Sequence, residues 1–138
     1  MACSVRSARS KGSQFEMDCE YSLQQFFPDA YRTHERGYIQ QYDIISHEGK
    51  VVFECKRLKG LSWNEATKTW KKLQEVAPEG YQPFLLFKGN RQPCLVMYTD
   101  GAGLCVTTFE VEFGRPFIKH PSTRAIVKKE VVGEPNVV

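Results

Sequence analysis

Three residues set the chemistry this sequence could carry. Glu54 and Lys56 stand two apart in the β-favouring run Val51-Val52-Phe53-Glu54-Cys55-Lys56-Arg57. On a strand such residues share a face, with Cα atoms roughly 6.6 Å apart. A carboxylate and an ammonium therefore project together, while Phe53 and Cys55 face the other way. Asp43 lies upstream, and the short break His47-Glu48-Gly49-Lys50 predicts a hairpin that brings its carboxylate beside Glu54 across the ladder. Two acids and a lysine on one surface suit phosphodiester hydrolysis. Hard oxygen ligands would hold Mg²⁺, which clamps the phosphate and activates water, and the ammonium would offset charge building at phosphorus. Mg²⁺ keeps several waters, so Asp43 and Glu54 with the carbonyl of Cys55 suffice as protein ligands, and Mn²⁺ could substitute. The same triplet also fits a solvated face or a cross-strand ion pair.

Positioning these groups requires a specific order of elements. Ser13-Gln14-Phe15-Glu16 has the form of a capping box, and Phe15, Cys19, Leu23 and Phe26 recur at helical spacing up to Pro28. This predicts a helix over Gln14–Phe27. Tyr38–Ser46 and Val51–Arg57 form the predicted hairpin. Trp63, Ala66, Trp70 and Leu73 line one face of a second helix, Ser62–Val76, which Pro78-Glu79-Gly80 stops. Pro83–Phe87, Cys94–Tyr98 and Leu104–Val111 read as further strands, with turns at Gly89-Asn90 and Asp100–Gly103. The expected fold is α/β, a mixed sheet flanked by helices, in which the second helix crosses over to a new parallel strand.

In this order the motifs resemble the PD-(D/E)xK nuclease superfamily, and more closely its archaeal-type Holliday junction resolvases. Those proteins combine a K-G-x-x-F-E helix start, a D-I-I strand and an apolar-E-C-K strand. This chain reads Lys11-Gly12-Ser13-Gln14-Phe15-Glu16, Asp43-Ile44-Ile45 and Phe53-Glu54-Cys55-Lys56. The resemblance spans Lys11 to Tyr98. It implies a restriction-endonuclease-like fold and a metal-dependent endonuclease of bacterial, archaeal or phage type that cuts branched DNA as a homodimer. By that carry-over Glu16, Asp43, Glu54 and Lys56 are catalytic. Tyr42 stands where the superfamily often has Pro. Arg32-Thr33-His34-Glu35-Arg36-Gly37 replaces the small Ser- and Gly-containing loop of the resolvases, and the basic tail after Gly114 has no counterpart.

Several other residues admit two readings. Glu16 is either the helix-borne acid or a cap that binds the Ser13 backbone, and Glu20 is an alternative acid. His34 is either an exposed loop residue or, beside Arg32 and Arg36, a group that contacts phosphate or shifts protons at the site. Arg6, Arg9, Lys11, Arg57 and Lys59 are further candidate DNA contacts, with Lys68, Lys71 and Lys72 on the second helix. Trp63 and Trp70 are assigned to packing. His47 and His120 are single and lack metal-ligand spacing. Gln74 ranks below them as a site residue. Pro83–Phe87 is a candidate for burial at a dimer interface.

The 138 residues are 41% hydrophobic and 25% charged, which suits one folded domain and excludes a solenoid or a two-domain enzyme. The expected organisation is a flexible basic arm over 1–11, a nuclease domain over 12–112 and a basic tail over 113–138. Nineteen basic against sixteen acidic residues leave +3, with the excess at the two ends. Five cysteines without a C-x-x-C pair point to reduced thiols rather than disulfides or zinc. No apolar run reaches the ~18 residues of a membrane span. The expectation is a cytoplasmic protein without a membrane partner, in the host cytoplasm if phage-encoded. Nothing resembles a base-reading element, so backbone and shape readout of four-way junctions, with paired symmetric nicks, is expected. The alternatives are a related nuclease acting on flaps, mismatches or ends, and a non-catalytic nucleic-acid-binding module.

Overall fold

The computed structural model describes residues 2–36, 41–60 and 62–122, and side chains from Gly12 onward except those of residues 35 and 36. Helix α1 spans Ala2–Leu23. The segment expected to be an arm is thus helical from Ala2, and Ser13 lies inside the helix, where no capping box can form. Ala, Arg and Lys in residues 2–11 are good helix formers, and Gly12 costs only about 1 kcal/mol, too little to end the helix there. Phe15, Cys19 and Leu23 follow at four-residue spacing and are buried. The helix stops short of Phe27: the Phe26 and Phe27 N–H groups both turn back to the Leu23 carbonyl, at 2.9 and 2.8 Å, ahead of Pro28.

Next come β1 (Tyr31–Arg32), a 3₁₀ turn (Thr33–Arg36), β2 (Ile44–Ser46) and β3 (Val51–Arg57). After these follow α2 (Trp63–Val76), β4 (Gln82–Lys88), β5 (Leu95–Asp100), β6 (Gly103–Thr108) and α3 (Phe109–Phe113). The six strands lie in chain order in one sheet. Only β3 and β4 pair in parallel, and α2 makes the crossover between them. The result is the expected mixed α/β fold, consistent with a restriction-endonuclease-like arrangement.

Alternation along the strands separates two cores. Val51, Phe53, Phe84, Leu86 and Val96 pack with Phe15, Cys19, Leu23 and Phe109 of α1 and α3. Val52, Leu85, Phe87 and Met97 pack with Ala66, Trp70 and Leu73 of α2. Helix α2 starts where the sequence predicts, with Ser62 Oγ accepting the Glu65 N–H. Pro83–Phe87 is not an interface strand: Phe84, Leu85, Leu86 and Phe87 are all buried within the sheet. Trp70 is core, whereas Trp63 is half exposed, with its edge on Phe87.

In the β2–β3 turn, Asp29 accepts from Ser46 Oγ at 2.6 Å and from the Glu48 N–H at 3.0 Å. Gly49 is required there, because a Cβ would lie 2.5 Å from the Phe27 ring. The strand expected over Leu104–Val111 is shorter and gives way to α3, for which Thr108 is the N-cap. The first part of the expected tail is docked on α1. Ser22 Oγ donates to the Ile118 carbonyl at 2.7 Å and accepts its N–H at 2.8 Å, while Asp18 accepts the His120 N–H at 2.7 Å. These bonds extend the folded unit past residue 112. Arg124, Lys128 and Lys129 lie outside the described residues, as does the expected strand start at residues 38–40.

Candidate active site

Asp43 sits where β2 and β3 begin to part. Its N–H donates to the Phe53 carbonyl at 2.9 Å, one residue out of register with the Ile44–Phe53 pair, so Asp43 and Ile44 both oppose Phe53. One step on, its side chain takes over the ladder: Asp43 Oδ2 accepts the Cys55 N–H at 2.9 Å. The carboxylate is thereby fixed at the end of the paired segment, where it shares a hydrogen bond with Glu54. The hairpin expectation for these two acids holds.

The electrostatics follow from that contact. Burial raises both carboxyl groups, and Asp43 lifts Glu54 to about 8 by its charge and by accepting the hydrogen bond. Asp43 is raised less far, because it is offset by the Cys55 N–H, by Glu54 as donor, and by His34 and Arg32. Both carboxyl groups are thus pushed toward their protonated forms, Glu54 the more strongly. Lys56 lies near enough to favour the ionised form of Glu54, and its side chain is exposed.

A third acid comes from α1. Glu16 Oε1 lies 3.4 Å from His34 Nε2, and donor atoms of Glu16, His34 and Asp43 lie within 4.8 Å of one another. Glu16 is therefore a member of the acidic cluster, and its capping role falls with the helix boundary. The 3₁₀ turn places His34 at the cluster, with 59% of its side chain exposed. The turn is held by Glu20, which accepts the Arg32 N–H at 2.9 Å, and by Thr33 Oγ1, which donates to the Tyr42 carbonyl at 2.9 Å. Glu20 thus braces β1 and is not a substitute acid. Nothing in the sequence pattern points to His34 meeting Glu16, since the contact depends on a short strand and a turn with no periodicity.

On the α2 face, Glu54 and Lys56 line a groove of about 570 Å³ with Gln41, Lys68 and Lys72. Lys68 and Lys72, indistinguishable from a solvated helix face in the sequence, are thereby set beside the acids. Lys71 and Gln74 are exposed and do not line this groove. Arg32 is buried, with 9% exposure, and is corrected from a surface DNA contact to a cation screened inside the fold near Asp43. Arg57 is bound to the Leu58 and Lys88 carbonyls and to Asn90, on the face away from Glu54. Lys59 is exposed just beyond β3. The side chains of Arg6, Arg9, Lys11 and Arg36 lie outside the described ones.

Cys55 contributes its backbone N–H to the site, while its thiol turns to the α1 face and meets Cys19. Cys19, Cys55, Cys94 and Cys105 are free thiols, as expected. His47 is on the surface between the hydroxyls of Tyr31 and Tyr81, and the ring of His120 bonds Ser122. Among the described residues, no helix is long and apolar enough to cross a membrane.

The donor set fits a hard divalent cation. Burial and the Asp43 carboxyl group raise Glu54 toward protonation, and a cation between the two would relieve the same repulsion. No protein-family model, curated protein or solved structure matches the chain significantly.

Proposed function

We propose that this protein is a divalent-metal-dependent DNA endonuclease that resolves four-way junctions by paired symmetric nicks, as a cytoplasmic homodimer. The observation that supports the reading best is the hydrogen-bonded Asp43–Glu54 pair, with Glu16 and His34 beside Asp43 and a lysine-edged groove beside Glu54. Asp43 and Glu54, with the carbonyl of Cys55, would hold Mg²⁺ or Mn²⁺. Glu16 and His34 stand next to Asp43 as further donors. A metal bound there would supply positive charge to the scissile phosphate and lower the pKa of a water.

The chain's own groups do the rest. Asp43 is locked by the Cys55 N–H, so its carboxylate needs no reorganisation. Lys56 projects from the same strand face as Glu54 and offsets charge gathering on the phosphate oxygens. Glu16, beside His34, is placed to hold a proton released by the attacking water. Lys68 and Lys72 provide the phosphate contacts that position a strand along the groove. The preference for junctions and the dimer rest on the motif resemblance.

The deciding experiment is incubation with a synthetic four-way junction, with and without Mg²⁺, resolved on a denaturing gel. Symmetric nicks that require the metal are expected. Faster cutting of flaps or linear duplex would move the assignment to a related nuclease. Binding without cleavage under Mg²⁺ and Mn²⁺ would overturn catalysis in favour of a binding module.

A further inference from the structure

A second cavity, of about 620 Å³, opens on the other face of the sheet, between α1, the ends of β3 and β4, and the docked segment after α3. That size is ordinary for a small-ligand site. Its floor is aromatic: Phe117 lies 5.8 Å from Phe15 and 5.4 Å from Phe109, ring to ring. Its rim is cationic, with Arg57, Lys88 and Lys119 all lining it. Among the described residues none of these three is paired with a carboxylate. Arg57 spends its hydrogen bonds on carbonyl and amide oxygens, and Lys88 makes only a 3.4 Å contact with the Gly89 carbonyl. Partial burial, then the charges of Arg57 and Lys119, hold the Lys88 ammonium below its usual pKa. Of the two acids in the lining, buried Asp18 accepts the His120 N–H and its charge partly offsets that of Lys88, and Glu110 is exposed.

Flat apolar surfaces under three converging cations match a planar base joined to a phosphate. The cavity also adjoins the acidic cluster through the chain: Gln14 and Phe15 precede Glu16, and Arg57 follows Glu54 by three strand residues, about 10 Å.

We propose that this cavity takes up one nucleotide of the DNA strand, with its base on the partly exposed ring of Phe117, which Phe15 and Phe109 back from the core, and its phosphate between Arg57, Lys88 and Lys119. The inference rests on the nuclease reading, which supplies the strand. A nucleotide lodged behind the sheet would hold the strand in register with the acids in front of it, and would favour DNA that has an unpaired or easily unstacked position.

The test is an amide NMR titration of the full chain in EDTA with single-stranded oligothymidylate, thymidine 5′-monophosphate and thymidine. Oligothymidylate is expected to shift Phe15, Cys94, Thr108 and Phe117. The double variant Lys88→Gln, Lys119→Gln should bind it at least tenfold more weakly, with a log–log salt slope lower by one to two. Phe117→Leu, which keeps an apolar side chain, should weaken binding through lost stacking alone, and thermal melting checks that each variant is folded. Shifts confined to the Glu54 groove, or unchanged affinity in folded variants, would overturn the proposal. Equal shifts from thymidine monophosphate would also overturn it, in favour of a free-nucleotide site. Because metal and cleavage play no part, a protein that binds here but never cuts would sink the nuclease reading alone, and a nuclease that ignores these substitutions would sink the cavity alone.

Discussion

Asp43 Oδ2 accepts the Cys55 N–H at 2.9 Å, so a side chain stands where the β2–β3 ladder would otherwise place a main-chain carbonyl. The same carboxylate serves the sheet and the acidic pair, and its two roles separate by substitution. Asp43→Asn keeps an oxygen acceptor for Cys55 and removes the charge. It should retain the fold and junction binding while Mg²⁺-dependent cleavage falls at least a hundredfold in a single-turnover gel assay. Asp43→Ala loses the acceptor too and should cost a further ~1–3 kcal/mol in denaturant unfolding.

Glu54 gives a pH signature. Its folded-state pKa of about 8 lies above the ordinary glutamate value of 4.5, so the folded protein holds a proton that the unfolded chain has released. Between those values the native state binds more protons, and stability in EDTA should fall as pH rises from about 5 to 8. Glu54→Gln, which cannot ionise, should flatten that slope. Mg²⁺ should restore stability chiefly at the alkaline end, where the proton no longer shields the pair. Melting temperatures at several pH values, with and without the metal, measure all three effects.

Much of this arrangement was legible in the sequence, and what was missed has a common cause. The hairpin, α2 and β4 carry strong period-2 or period-3.6 patterns bounded by Gly and Pro, and Asp43 reaches Glu54 just where the regular pairing of that hairpin ends. The Glu16–His34 contact bridges elements whose order comes from single side chains, Glu20 on Arg32 and Thr33 on Tyr42, which leave no periodic trace. Ser13 shows the converse: a proper local capping signal is overridden because the preceding residues favour helix. Arg32 looked like a surface cation because its burial depends on β1, a two-residue strand.

The docking of residues 116–120 on α1 makes its own prediction. Ser22 is fully buried and exchanges two hydrogen bonds with the Ile118 backbone, so Ser22→Ala strands a donor and an acceptor together. It should destabilise the protein by ~1–3 kcal/mol. Amide exchange at Ile118 and His120 should rise more than at Phe53 in the central sheet, since the loss is local to this seam. Uniform exchange increases across the sheet would show that the segment is not held through Ser22.

Lys68 and Lys72 separate positioning from chemistry. Both line the groove with Glu54 and Lys56, but they project from α2 rather than from the strand that carries the acid. If they hold phosphates, Lys68→Ala and Lys72→Ala should each weaken junction binding by a similar factor and each lower the log–log salt slope by about one. At saturating DNA, cleavage should stay within a few-fold of the parent, because the Asp43–Glu54 pair and the Cys55 N–H bond that fixes Asp43 are untouched. Lys56→Ala should do the opposite: binding changes little and the cleavage step drops at least tenfold, since its ammonium is needed when charge builds on the phosphate. Binding isotherms at several salt concentrations, followed by single-turnover rates on the same junction, distinguish the two classes. A Lys68 variant that lost cleavage at saturation would place its ammonium at the reacting phosphate and remove the division between helix and strand argued above.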